Sequence, residues 1–156
     1  MTTLTHDDLV DSDNAFILGR LQLETALIKA LKDRPLADIY SQVRTHLLTQ
    51  KAKSTSPENT CVYRSPLGYK CAVGCLIPDE DYSPIMEGIG VVSKADGHGF
   101  WGLLKVLQHV HDVYDTFEWE AKLGQVAKQF GFEVATEVVN EVIDTAANTE
   151  DAQNDT

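Results

Sequence analysis

The chain has 156 residues, of which 43% are apolar and 24% charged, and its formal net charge is −11. This length and composition predict one soluble globular domain and argue against a disordered or membrane-spanning chain. The acidic excess argues against direct binding of DNA or RNA, because it repels their phosphates.

The negative charge is concentrated at the two ends of the sequence. Residues 1–14 carry four acidic residues and no Lys or Arg, and residues 112–156 carry eleven acidic residues against Lys122 and Lys128. The segment between them is nearly neutral, with nine acidic and eleven basic residues. Such ends attract partners with a basic surface, over a range that salt limits.

The expected compartment is the cytoplasm. The first fourteen residues have neither a basic n-region nor an apolar h-region, which argues against a signal peptide. Three cysteines are an odd number, whereas a secreted disulfide framework favours an even one. Reduced thiols in a reducing compartment are the simplest interpretation.

The first predicted helix runs from about Asp13 to Lys32, with Ser12 or Asp13 as its N-cap. Its apolar residues cover more of the helix circumference than one core-facing stripe requires. The members of this broad face are Phe16, Ile17, Leu21, Leu23, Leu27, Ile28 and Leu31. Two interpretations stay open: the helix is central to the fold, or one flank forms a homodimer contact.

Further helices are predicted at 35–51, at about 100–112, from Thr116 to a stop at Gly131, and at 133–147. The periodic apolar residues of each segment supply one buried face. The polar, acidic end of the sequence shows no such period. We therefore predict a single globular domain over residues 1–148, followed by an acidic tail at 149–156.

The middle of the chain predicts a β-hairpin. Two short β-prone runs, Cys61–Arg64 and Tyr69–Val73, flank a Ser-Pro-Leu-Gly turn. A buried helical turn from Ala72 to Pro78 and a one-turn helix capped by Ser83 follow it. The predicted fold class is therefore α+β, mainly α, with four to five helices packed around one short hairpin.

Three cysteines in this central block raise the question of a metal site. Cys71 and Cys75 share a helical face at i, i+4 spacing, and Cys61 could lie opposite Cys71 across the hairpin. A structural zinc site needs a fourth ligand, for which the histidines available are His98, His109 and His111. The spacing is not that of a zinc knuckle, so we expect buried, uncoordinated thiols, no metal and no cofactor.

A thiol enzyme would combine Cys71, His111 and Asp112. Such an enzyme needs a thiol of lowered pKa, a nearby imidazole and a group that orients it. His111 and Asp112 are neighbours on a helix, and their side chains are expected to diverge by about 100°. We therefore expect no catalytic pair here. Four carboxylates could chelate a hard cation, but they lack the ligand spacing and the Gly of a calcium loop: Asp79, Glu80, Asp81 and Glu87. We expect them to cap a short helix and stay solvated, with one carboxylate available to Arg64.

The acidic C-terminal third offers a candidate binding surface. In one interpretation its carboxylates are the solvated face of an amphipathic helix. In the other they occupy a basic, nucleic-acid-binding surface of another protein, with the field accelerating association. The candidate binding residues are Glu118, Glu120, Glu133, Glu137, Glu141 and Asp144.

The central block also resembles a family of small uncharacterised proteins from bacteriophages and phage-like bacterial regions. The quoted pattern is CxYRxxxGxKCAVGCLIPDExYxPxxEG, with Leu107, Gln108, His111 and Asp112, then Trp119 and VAxxFG at 126–131. The resemblance covers roughly the second half of the chain. It implies a phage setting, in the cytoplasm of an infected or lysogenic host, and it implies no reaction.

Together these observations predict a non-enzymatic accessory protein that binds a host protein with a basic surface and modulates or inhibits it. No direct nucleic-acid or membrane partner is expected. The alternative is a small metal- or thiol-dependent enzyme built on Cys61, Cys71 and Cys75.

Overall fold

The computed structural model describes residues 6–92, 94 and 97–132, and for residues 6–12 only the backbone. Within these ranges the chain forms helices α1 (His6–Leu31), α2 (Leu36–Gln50), α3 (Phe100–Val113) and α4 (Trp119–Phe130). It divides into two compact units, Met1–Leu123 and Gly124–Thr156. The predicted helix at 133–147 and the tail at 149–156 lie outside the described residues, so the single-domain division stays a prediction.

Helix α1 is longer than predicted, because its described part already begins at His6 rather than near Asp13. Ser12 and Asp13 therefore lie inside the helix and do not cap it. Aspartates near a helix N-terminus are favourable because the helix dipole is positive there. The C-terminal half of α1 belongs to the core, where Leu23, Leu27 and Leu31 are buried.

Helices α2, α3 and α4 confirm the periodicity of the sequence. Helix α2 contacts α3 and the 3-10 turn Gly74–Leu76, while α1 contacts that turn and a second one at Pro84–Met86. Helix α3 is buried along one face, including Trp101 and Leu104. Helix α4 ends at Gly131, whose φ of +74° is the left-handed conformation expected of a C-terminal stop.

The predicted β-hairpin, and with it the α+β fold class, is wrong. The described residues contain no β-strand and no sheet, only the isolated antiparallel bridges Thr55–Cys61 and Arg64–Lys70. The chain does reverse direction at Ser-Pro-Leu-Gly, where the Gly68 N–H donates to the Ser65 carbonyl at 3.0 Å. The fold is therefore helical, with an irregular central segment, residues 61–77, held by single bridges.

The ladder stops at the pair Tyr63–Cys71 because other groups take its hydrogen bonds. The Cys71 N–H donates to the Tyr63 carbonyl at 3.3 Å, as a hairpin requires. The Tyr63 N–H, however, donates to the Glu87 carboxylate at 2.9 and 3.1 Å. The Cys71 carbonyl accepts the N–H of Cys75 at 3.1 Å and so begins a helical turn. A strand cannot continue once both groups are committed elsewhere.

The bridge Thr55–Cys61 does not extend into a strand for the same kind of reason. The Val62 N–H donates to the Ser54 carbonyl at 3.0 Å, but the Ser54 N–H donates to the ring of His111. At the bridge Arg64–Lys70, the outward-facing N–H of Lys70 donates to Gln50. The Lys70 carbonyl accepts from Gln50 and His46. Side chains of α2, α3 and the loop at Glu87 thus replace the ladder.

The central segment is also fixed by a close backbone approach at Gly74. A Cβ atom at this position would lie 2.1 Å from the carbonyl oxygen of Tyr63. Only glycine allows the 3-10 turn to pack directly on the backbone of Tyr63.

Candidate functional site

The candidate site is a cleft of about 260 Å³ between the central segment and the end of α3. All of its residues lie in the unit Met1–Leu123. Its polar lining comes from Cys61, Glu87, Gln108 and Asp112. The two sequence blocks of the family resemblance, 61–88 and 107–112, meet here.

His111 and Asp112 form a hydrogen-bonded pair, although we expected their side chains to diverge. The Nδ1 atom of His111 lies 2.8 Å from Oδ1 of Asp112. Nδ1 is the ring nitrogen nearer the backbone, so a short carboxylate on the next residue can reach it. The expectation from helical spacing was therefore wrong for this pair.

The second nitrogen of the His111 ring is also occupied. The backbone N–H of Ser54 donates to Nε2 at 3.0 Å, and both residues are fully buried. A backbone N–H can only donate, so Nε2 must be the unprotonated nitrogen. The ring proton therefore sits on Nδ1 and is donated to Asp112. Trp119 stacks on the ring, with centroids 5.5 Å apart, and fixes its plane.

Asp112 accepts hydrogen bonds from two side chains and lies beside a thiol. It accepts from His111 and from Gln108 Nε2 at 2.7 Å, and its carboxylate lies within 4.8 Å of the Cys61 sulfur. Burial opposes ionisation, but these hydrogen bonds outweigh it and hold the pKa of Asp112 below its ordinary value. The carboxylate is therefore negative at neutral pH. Gln108 in turn accepts the N–H of Val73 at 3.0 Å and ties α3 to the central segment.

The Cys61 thiol is held in its protonated form. Burial, and then the neighbouring negative charge of Asp112, raises the pKa of Cys61 to about 11. A nucleophilic cysteine needs the opposite environment, one that stabilises the thiolate. Cys61 is therefore a poor nucleophile at neutral pH.

Cys61, His111 and Asp112 are also the one group in the described part of the chain that could gather around a metal ion. Their ligand atoms lie within 4.8 Å of one another. Coordination through Nδ1 of His111 would move the ring proton to Nε2, directly against the N–H of Ser54. Two donors would then face each other in a buried site, which is costly. The three residues lie near one another, but the hydrogen bond from Ser54 opposes metal coordination by His111.

The other two cysteines do not join this group. Cys71 is buried and its sulfur accepts the N–H of Gly74 at 3.3 Å, while the Cys75 thiol donates to the Ala72 carbonyl at 3.1 Å. Burial raises the pKa of Cys75 to about 12, and burial likewise raises the pKa of Cys71. Cys71, our candidate thiol for an enzyme, is thus further from reactivity than Cys61.

Glu87 also lines the cleft, whereas from the sequence we expected it to cap a short helix or stay solvated rather than bind a cation. Burial raises the pKa of Glu87 above its ordinary value, although backbone N–H groups of Tyr63 and Arg64 donate to it. Sequence reasoning missed this role because Glu87 acts on backbone groups over twenty residues away. A glutamate just before Gly88, at the end of a one-turn helix, was the available signal.

Arg64 connects the central segment to the acidic run, as expected. Its Nη1 lies 2.7 Å from Oδ1 of Asp79, and its Nη2 donates to the Ile77 carbonyl at 2.8 Å. The guanidinium also lies over the ring of Tyr82, 4.5 Å from the centroid. These contacts order the segment next to the cleft and bring no further charge into it.

The candidate acidic face is described only in part. Glu118 belongs to a capping box with Asp115 at the start of the 3-10 turn Thr116–Glu118. Glu120 is exposed and lies 3.8 Å from Arg44. Glu133, Glu137, Glu141 and Asp144 lie outside the described residues. Of the two described members, Glu118 has a structural role and Glu120 stays available for binding.

The chain matches no protein-family model, no curated protein and no solved structure. In the described part of the chain, no helix combines the length and apolar character needed to cross a membrane. The evidence on function therefore comes from the chemistry of the cleft and of the surface.

Proposed function

We propose that this chain is a non-enzymatic phage-type accessory protein that acts in the cytoplasm of an infected or lysogenic bacterium. It binds a basic host protein and changes the activity of that protein. The observation that most supports a binding role is that Cys61, His111 and Asp112 contact one another, while His111 also accepts the N–H of Ser54. A cleft whose thiol is protonated and whose imidazole has no free nitrogen offers neither an activated thiol nor a histidine base.

The charge of the chain supports a basic partner. Its net charge of −11 includes eleven acidic residues after position 111 against two lysines. An acidic field of this kind accelerates association with basic surfaces and weakens as salt rises. The proposed contacts come from the acidic residues of the C-terminal third, of which Glu120 is exposed in the described part of the chain.

Two charge-matched variants test this proposal. One replaces Glu133, Glu137 and Glu141 with Gln and Asp144 with Asn. The control replaces four exposed acidic residues elsewhere in the same way: Asp33, Asp38, Glu58 and Glu80. Both variants change the net charge from −11 to −7.

We expect the wild-type chain to capture one basic protein from bacterial lysate at about 0.1 M salt and to release it near about 1 M, where screening is almost complete. The variant at 133–144 should lose this capture and the control should keep it. Equal loss of capture in both variants would show that the net charge, and not the residues at 133–144, determines capture. Capture that does not respond to salt, or no capture at low salt, would contradict the proposal.

The alternative, a metal- or thiol-dependent enzyme, is favoured by one observation. Cys61, His111 and Asp112 lie within 4.8 Å of one another beside a cleft. This alternative needs about one zinc ion per purified chain and unfolding on chelation. Elemental analysis and an unfolding curve with chelator separate it from the binding role.

A further inference from the structure

The first half of α1 exposes large apolar side chains that the fold does not cover. Phe16 is 52% exposed, Ile17 62%, Leu18 47% and Leu21 59%. Ile17, Leu18 and Leu21 are neighbours and form a patch on the order of 300 Å², a size typical of the largest apolar patch on a monomeric protein, which is often functional. This observation does not depend on the proposed function, which rests on the cleft and on the acidic residues.

Ile17, Leu18 and Leu21 lie on the side of α1 that faces away from the core, whereas Phe16, seven residues before the buried Leu23, lies on the same side as Leu23. Gly19, Leu23 and Leu27 face inward and are buried. On the outward side, Asn14, Leu18, Leu21 and Thr25 follow one another at spacings of four, three and four residues. This is the spacing of a helix seam that packs against a second helix. The outward stripe is apolar at its centre and polar at both ends.

The charges of the α1 sequence indicate which helix fits this seam. Residues 6–18 contain four aspartates and no Lys or Arg, whereas residues 19–31 contain Arg20 and Lys29 against Glu24, and Lys32 directly follows the helix. Lys29 is 67% exposed although it lies 3.3 Å from the Asp81 carboxylate. A helix with one acidic and one basic half is complementary to an antiparallel copy of itself.

We propose that this chain forms a homodimer in which two copies of α1 pack antiparallel along the outward stripe. The two-fold axis passes between Leu18 and Leu21, so that Leu18 of one copy meets Leu21 of the other. The acidic half of each helix lies along the basic half of its partner. A parallel arrangement would place acid against acid and is disfavoured.

The apolar patch is smaller than the roughly 800 Å² that each partner buries in a standard interface. We therefore expect a reversible dimer with a dissociation constant on the order of 1 μM. Sedimentation velocity of the full chain over a range of concentrations measures this directly. A chain that stays monomeric at about 100 μM, far above that constant, would overturn the proposal.

Surface substitutions locate the interface. Leu21→Glu places a charge in the seam of both copies, and we expect the dissociation constant to rise by about a hundredfold, tenfold for each copy. Leu67→Glu and Phe117→Glu are matched controls, because both residues are 83% exposed and lie away from α1. A dimer that Leu21→Glu leaves intact, or that the controls weaken equally, would overturn the assignment.

Disulfide trapping tests the orientation. Antiparallel packing around the proposed axis brings position 14 of one copy beside position 25 of the other. A mixture of Asn14→Cys and Thr25→Cys chains should therefore form the mixed disulfide, and Asn14→Cys alone should form little. Efficient self-linking of the Asn14→Cys chain would show a parallel dimer and contradict the proposal. The wild-type chain under the same oxidation controls for its native thiols.

Discussion

At the scale of single residues, the cleft is built around the hydrogen bonds of His111. Its Nδ1–H donates to the Asp112 carboxylate, beside which the Cys61 thiol lies, and the Ser54 N–H donates to its Nε2. Each proton has one acceptor, and His111 keeps no free nitrogen. The residues that most resemble catalytic groups thus hold the loop at Ser54, the end of α3 and the central segment together.

Replacing Asp112 with Asn should destabilise the fold at neutral pH by about 1–3 kcal/mol, because charged acceptors form the stronger hydrogen bonds. The pKa of Asp112 is lowered in the folded state, so its stabilising effect is present above the unfolded pKa and is lost as pH falls through the folded value. The difference in the free energy of unfolding between wild type and Asp112→Asn should therefore shrink below about pH 4.

Urea unfolding at neutral and acidic pH measures this difference. Glu58→Gln, in an exposed turn, serves as the control and should change stability by less than about 0.5 kcal/mol at either pH. A gap between wild type and Asp112→Asn that widens toward acid would contradict the role given to this carboxylate.

At the scale of elements, α1 is positioned by a backbone approach at Gly19. A Cβ atom there would lie 2.2 Å from the carbonyl oxygen of Ile85 and 2.7 Å from Cδ1 of Ile89. The turn at Pro84–Met86 can therefore lie directly on the helix. Tyr63, which donates its hydroxyl to the Ile89 carbonyl, connects this loop to the central segment.

Gly19→Ala should lower stability by at least about 1 kcal/mol, because the steric clash with Ile85 outweighs the helix propensity that alanine gains. Gly102→Ala in α3 is the matched control, since its Cβ would meet no atom within 4 Å. The control should gain about 0.5–1 kcal/mol. Thermal unfolding compares the two, and a stabilised Gly19→Ala chain would refute the close approach.

The helices were predictable from sequence and the central segment was not. Apolar periodicity and capping signals act within a few residues, so they located α2, α3 and α4 to within a few positions. The hairpin prediction failed because the backbone of Tyr63 and Ser54 is bound by Glu87 and His111. Those partners lie 24 and 57 residues away, and no local pattern reports them.

For the candidate site, the sequence predicted which residues are involved but not the role of each residue. Cys61, His111 and Asp112 were all singled out as residue types that carry chemistry. Their roles depend on which atom donates to which, and this follows from the position of the Ser54 N–H. Gly19 was equally hidden, because a glycine within a helical pattern does not reveal that a distant carbonyl lies against it.

At the scale of the whole molecule, the interior and the surface have separate tasks. In the described interior, the thiol, imidazole and carboxylate groups contact one another or the backbone. The exposed part of α1 and the excess of acidic residues are the surface features available to a partner. Surface contact, rather than bond-breaking, is therefore the activity we expect.

The most direct measurement of this claim is the pH dependence of alkylation at Cys61 in the wild-type chain, with peptides resolved by mass. We expect the rate to rise with a midpoint near pH 11, because burial and the charge of Asp112 keep the thiol protonated. The buried Cys71 should react only on unfolding. A midpoint at or below the ordinary value of about 8.5 would reveal a stabilised thiolate and contradict the account.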